Sequence, residues 1–194
     1  HYYDAKKNVA WLSQMNSSNE IELIHATAQG DQKALQAIMD RYRPMVLRLA
    51  SRLLCDNQAG EDIAQEVFIR VWQKAQRFNP QYALSTWIYS ITCHLCYDQL
   101  RRHRWLLPLS RLGFLPDDIS DNSVIPLEQR EMWSLYKKVS QSLPVKQRMV
   151  FTLREIEGCD TQETARLLGM TADQVKSNLS QAKKTVRAKL EKYE

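Results

Sequence analysis

The stretch Asp160-Thr161-Gln162-Glu163-Thr164-Ala165-Arg166-Leu167-Leu168-Gly169-Met170-Thr171-Ala172-Asp173-Gln174-Val175 decides how this 194-residue chain is read. Asp160 is placed to cap a short helix ending near Leu168. Gly169-Met170 is spaced as a tight turn, and Thr171 followed three residues later by Gln174 has the form of a capping box. A last helix then runs to about Lys192, with Val175, Leu179, Ala182, Val186 and Leu190 falling on one inward face. Two helices around a short Gly-containing turn make a helix-turn-helix candidate. Its second helix turns Lys176, Ser177, Ser180 and Gln181 outward, followed by Lys183, Lys184 and Arg187. A helix fits the major groove, where such side chains meet base edges and the basic ones neutralise phosphates. On spacing alone, a solvated basic face on an ordinary helical hairpin remains the alternative.

Helical patterning continues toward the N-terminus. Leu143-Pro144 starts a helix with proline in its first turn, striped by Val145, Met149, Val150, Leu153 and Ile156 and ended by Gly158. Leu127 to Ser142 reads as another. Between about Trp105 and Pro126 the periodicity stops and Pro108, Gly113, Pro116 and Pro126 accumulate beside Asp117, Asp118 and Asp121, as expected of a linker, either a plain tether or a docked segment. Before it, helices are expected from Asp31 to Leu53, from Glu61 to Ala75 and from Ser85 to Arg102, with Pro44 predicting a kink or break in the first and Asn79-Pro80 marking a loop. Met15, followed by the polar lead-in Asn16-Ser17-Ser18-Asn19, reads as a natural start, which makes residues 1–14 a fused or foreign extension.

Composition bounds the rest. Five glycines and six prolines are about half the usual share, too few for the turns of an all-β sandwich or barrel. No apolar run approaches the roughly 20 residues of a membrane span. The net charge of +5 favours polyanionic partners without requiring them. Cys55, Cys93, Cys96 and Cys159 are too irregular for a disulfide framework, so the cytosol is the default compartment. Cys93 and Cys96 share a helix face with a metal or redox reading open to them. No second Cys/His pair has the spacing to complete a zinc site, and the pair is expected to serve as small buried hydrophobes. No phosphate-cradling loop, paired acids or nucleophile with a base suggests catalysis, and no metal or cofactor is implied.

Taken in order, these residues resemble the extracytoplasmic-function group of bacterial sigma-70 factors. The similarity runs from about Ile24 to Tyr193 through Arg41-Tyr42-Arg43-Pro44, Ala59-Gly60-Glu61-Asp62-Ile63-Ala64-Gln65-Glu66-Val67-Phe68, Thr86-Trp87-Ile88-Tyr89, Asp98-Gln99-Leu100-Arg101-Arg102, Leu143-Pro144, Glu157-Gly158 and Val175-Lys176-Ser177. The resemblance implies an all-α protein of two helical domains, a bundle at 20–104 and a helix-turn-helix unit at 127–194, joined by a flexible linker at 105–126. It implies no enzyme, but a factor that binds core RNA polymerase and directs it to promoters, with an anti-sigma protein as regulator and no small-molecule substrate. Asp62, Gln65, Glu66, Phe68 and Trp72 would then dock on the polymerase, domain core being the alternative for Phe68 and Trp72. Phe78, Asn79, Ser85, Trp87, His94, Asp98, Arg101 and Arg102 would surround the single-stranded minus-10 element, an extruded base among them. Gln174, Lys176, Ser177, Ser180, Gln181 and Lys184 would read the minus-35 duplex. The family usually has Asn at the position of His94, and often Arg at those of Asn178 and Gln181. Glutamine suits adenine where arginine forks suit guanine, so a minus-35 preference less dependent on guanine is expected. The competing readings are a dimeric helix-turn-helix repressor that needs no polymerase and a helical adaptor with a redox-sensing cysteine pair.

Overall fold

The computed structural model describes residues 18–106 and 127–191, and every regular element among the described residues is helical. The expected extension at residues 1–14, the start at Met15 and residues 107–126 of the linker expected at 105–126 lie outside them, while Trp105 and Leu106 belong to the helix that precedes it. Helices α1 (Ser18–Ala28), α2 (Gln32–Leu54), α3 (Asn57–Lys74) and α4 (Leu84–Leu106) make the N-terminal bundle. Helices α5 (Leu127–Gln141), α6 (Val145–Phe151), α7 (Thr161–Leu168) and α8 (Ala172–Leu190) make the C-terminal unit.

Asp31 opens α2 by accepting hydrogen bonds from the Lys33 and Ala34 amides at 2.8 and 3.2 Å. The buried stripe Ala34, Ile38, Tyr42, Val46, Leu49 and Leu53 follows at spacings of three and four. Pro44 does not divide this helix as expected: α2 is continuous through it. Pro44 and Asp40, whose carbonyl loses its amide partner, are both exposed, so water can satisfy that carbonyl while Met45 and Val46 hold the inner face. Cys55 ends the helix in the left-handed region at φ 56°. Asp56 then accepts from the Ala59 amide, so α3 begins at Asn57, four residues before the expected Glu61. The capping residue that read as a break is the start signal of the next helix.

Gly60 lets α2 and α3 close up. A Cβ there would stand 3.1 Å from the Ser51 backbone nitrogen and 2.4 Å from Ser51 Oγ. Across the C-terminal unit, α6 widens into a π-helical turn at Thr152–Ile156 before Gly158 reverses the chain at φ 76°. The two units share one apolar core. Met149, Leu153, Cys159 and Leu167 are continuous with Ile88, Tyr89, Cys93 and Cys96 of α4. The C-terminal unit's separate core is small, with Val150, Ala165 and Val175 at its centre.

Candidate nucleic-acid interface

The helix-turn-helix is built as its capping residues dictate. Asp160 and Glu163 exchange hydrogen bonds at the start of α7, and Thr171 and Gln174 do the same at the start of α8. Gly169 turns between them at φ 61°, a conformation that favours glycine. Val175 and Ala182 anchor α8 inward. Leu179 and Val186 are half-buried, and Leu190, expected inside, is 37% exposed because the helix outruns the core.

Gln174, Lys176, Ser177, Ser180, Gln181 and Lys184 all stand exposed along α8. Gln181 is not a free rotor: its Oε1 accepts from Gln147 Nε2 of α6 at 2.8 Å. That bond leaves the Gln181 amide nitrogen to donate outward. Lys183 pairs with Glu155 at 2.9 Å, which holds it to the protein, whereas Lys176 lies 3.8 Å from an open Asp173. A shallow basic trough of about 680 Å³ runs along this helix, lined by Arg154 and Thr161 with Lys176, Ser180 and Lys184 of the expected residues, while Gln174, Ser177 and Gln181 lie outside its lining. Neither Arg154 nor Thr161 was singled out from sequence. Thr161 was legible as the first residue of the capped helix, while Arg154 sits on a helix face that gave no such signal; it donates to the Cys159 carbonyl.

Helix α4 has two contrasting faces. Trp87, His94, Asp98 and Arg101 recur at helical spacing on one side, with Arg102 beside them; His94, Arg101 and Arg102 are exposed, Asp98 is half-buried, and Trp87 is half-buried against the core, while Tyr89, Cys93 and Cys96 are buried on the other side. Trp87 packs its ring on Phe78 with centroids 5.3 Å apart. Asn79 accepts from the Gln81 amide at 3.0 Å and so shapes the loop before the helix. His94 lies 3.5 Å from Ser90 Oγ through Nδ1. Ser85 stands apart from this group: it is 6% exposed, inside the first turn of α4, and reaches a nucleic acid only if that turn moves. Tyr82, which the sequence reading passed over, projects 61% exposed from the same loop.

On α3, Asp62 and Gln65 are exposed, Glu66 is half-buried and paired with Arg70 at 2.6 Å, and Trp72 is half-buried. Phe68 is 3% exposed within the bundle, the domain-core alternative, so its side chain supports the helix and offers no surface. Ile69 is 49% exposed on the face that carries Asp62, Gln65 and Glu66. Its signal in the sequence was an apolar residue one turn beyond Gln65, off the buried stripe.

Comparison with known proteins gives the same division. Residues 38–106 match the family described as Sigma-70 region 2, and residues 136–186 match Sigma-70, region 4. The chain is 35% identical, over 87% of its length, to the probable RNA polymerase sigma factor RfaY of Xanthomonas campestris pv. campestris, and spans 43% of that protein. It is 28% identical to the ECF RNA polymerase sigma factor SigW of Bacillus subtilis, covering 86% of this chain and 94% of SigW. With the ECF RNA polymerase sigma-E factor of Escherichia coli K12 the identity is 26%, over 87% and 93% of the two chains. Among solved structures, its fold is similar to the sigma factor RpoE from Bartonella quintana in a complex with the anti-sigma factor NepR, with a TM-score of 0.63, 21% identity and coverage of 82% and 98%. It is similar also to CnrH in complex with the cytosolic domain of CnrY, with a TM-score of 0.62, 19% identity and coverage of 90% and 98%.

Proposed function

Since this chain belongs to the extracytoplasmic-function group of sigma-70 factors, we propose that it joins core RNA polymerase and directs it to promoters carrying its own minus-10 and minus-35 elements. The observation that carries this reading is the pair of chemically distinct faces on separate helical units, the one on α8 exposed and the one on α4 exposed at His94, Arg101 and Arg102 with Trp87 half-buried beside them. An aromatic and basic face on α4 suits unstacked bases, and a polar and basic face on α8 suits a major groove. In this reading the domains fall at 20–104 and 127–194, with 105–126 as the connection. Asp62, Gln65, Glu66 and Trp72, joined by Ile69, form the polymerase-facing surface. Asn79, Trp87, His94, Asp98, Arg101 and Arg102 meet the minus-10 strand, with Phe78 stacked behind Trp87. The minus-35 duplex meets Gln174, Lys176, Ser177, Ser180, Gln181 and Lys184.

The protein makes no bonds itself; polymerisation belongs to its partner, which sets its place of work in the cytoplasm. Two weak DNA contacts reinforce each other only when polymerase holds both at promoter spacing, so the isolated factor binds promoters poorly. The complexes of RpoE with NepR and of CnrH with CnrY support the extension that an anti-sigma protein holds this chain as well. Run-off transcription from a promoter library, with and without core enzyme, tests the proposal. Transcripts that need both core and this chain are expected; tight duplex binding by the chain alone, with no core-dependent transcript, would refute it in favour of a repressor.

A further inference from the structure

Two consecutive residues of the π-helical turn at Thr152–Ile156 reach α8. Arg154 lines the basic trough, and Glu155 Oε1 closes on Lys183 Nζ at 2.9 Å, with the glutamate side chain 33% exposed and the lysine 50%. Lys183 is one of five cations in that trough, with Arg154, Lys176, Lys184 and Arg187. Lys176 has a looser neighbour, since Asp173 lies 3.8 Å away and is 95% exposed. We propose that Glu155 stands in for a DNA phosphate: it keeps Lys183 neutralised, so that the trough grips duplex DNA of any sequence more weakly by about one contact. Glu155 is a positioning residue that acts through Lys183, and the inference rests on the reading of α8 as a duplex-binding helix.

The argument turns on what a lysine brings to DNA. Cations that neutralise phosphates release condensed counterions, and the binding constant falls with about the 0.9 power of the salt concentration for each phosphate neutralised. A lysine free in water supplies that whole contribution. Lys183 does not, because on meeting a phosphate it exchanges one oxyanion for another and leaves the Glu155 carboxylate unpaired beside a polyanion. An exposed ion pair adds little to folding, so its consequence falls on binding.

Phosphate contacts position a protein on the duplex and base contacts specify the site. Gln174, Ser177 and Gln181 lie outside the trough, so the Glu155–Lys183 pair reduces the phosphate contribution and leaves base reading alone. That division suits a factor that must be free for its polymerase. Competing sites on bulk DNA outnumber promoters by orders of magnitude, and a stronger sequence-independent grip would hold the chain there.

Fluorescence anisotropy of the full-length chain on short labelled duplexes, one carrying a minus-35 element and one scrambled, tests this for the wild type, Glu155→Gln, Lys183→Gln and the double variant. Glu155→Gln should tighten binding to both duplexes alike, by about tenfold at about 50 mM salt and about threefold at about 200 mM, a slope steeper by about 0.9. In the Lys183→Gln background the same change should gain less than about twofold. Circular dichroism checks that helicity is retained, and Glu155→Ala serves as a second variant should Glu155→Gln disturb the turn. A salt slope unchanged in both Glu155 variants overturns the proposal. So does a gain that persists without Lys183, which would make Glu155 a distant charge, or a gain confined to one duplex, which would place it in base reading. Core-dependent transcription by the wild type is measured alongside. If it is present and the slope does not move, the role of Glu155 fails and the promoter reading stands; if the slope moves as stated and no core-dependent transcript forms, the promoter reading fails and the role of Glu155 in duplex binding stands.

Discussion

Phe68 and Ile69 are adjacent on α3 and face opposite ways, one into the bundle and one into solvent. Phe68→Ala should therefore cost about 3–5 kcal/mol of folding stability, as loss of a buried aromatic does. Ile69→Ser should leave the thermal midpoint nearly unchanged and weaken binding to core polymerase by about tenfold, the size of a modest hot spot. Titration calorimetry against core enzyme and thermal denaturation separate the two, and a reversed pattern would remove Ile69 from the docking surface. On α8 the residue of interest is one the sequence did not single out. Gln147 fixes the Gln181 amide, so Gln147→Ala should relax minus-35 base preference at the one position that Gln181 meets, by roughly tenfold, and leave other positions alone. A uniform loss of binding across a minus-35 library would make Gln147 merely structural. Gln181 itself was legible from helical phase. The orientation of its amide was not, because it depends on a side chain 34 residues away.

At the scale of elements the local signals were strong, because a helix cap is written within four residues. Asp160 with Glu163 and Thr171 with Gln174 sit where their types predicted, and Thr171→Ala should lower stability by about 1 kcal/mol, read from a urea midpoint. Where the sequence misled, two local rules competed. Pro44 signalled a kink or a break, and the helix does not break, because a proline on the outer face gives up one hydrogen bond while the inner stripe keeps its packing. Asp56-Asn57 signalled an end, which it is for α2 and equally the start of α3. Gly60 shows propensity and packing in opposition. Alanine would favour an isolated helix by about 1 kcal/mol, yet its Cβ must push on the Ser51 backbone. We expect Gly60→Ala to be destabilising by about 1–2 kcal/mol, with Ser51→Gly recovering less than half, since the backbone contact remains.

The whole molecule holds what the sequence could not state. Each amphipathic stripe announces an apolar face, but not which element covers it, so α4 and α6 read as parts of separate domains and their shared core went unseen. Burial of the seam carries a pH consequence. It pushes the Cys159 thiol from its ordinary 9.0 up to about 12, through lost hydration first, with the Tyr89 hydroxyl and Arg154 opposing and Glu163 and Glu157 adding. Cys93 and Cys96 are raised by the same burial. A thiol whose folded value is raised favours the folded protein while it stays protonated, so its contribution is complete below about pH 9 and declines as the unfolded chain ionises above it. Each such thiol then removes about 1.4 kcal/mol per pH unit. Unfolding free energies from urea denaturation at pH 7.5 and pH 10 should differ by that order for each such thiol in the wild type, and Cys159→Ala should flatten the decline by about one group's share. An unfolding free energy that holds between these pH values would mean that the thiols are hydrated in the folded protein, and that the two units do not share a core in solution.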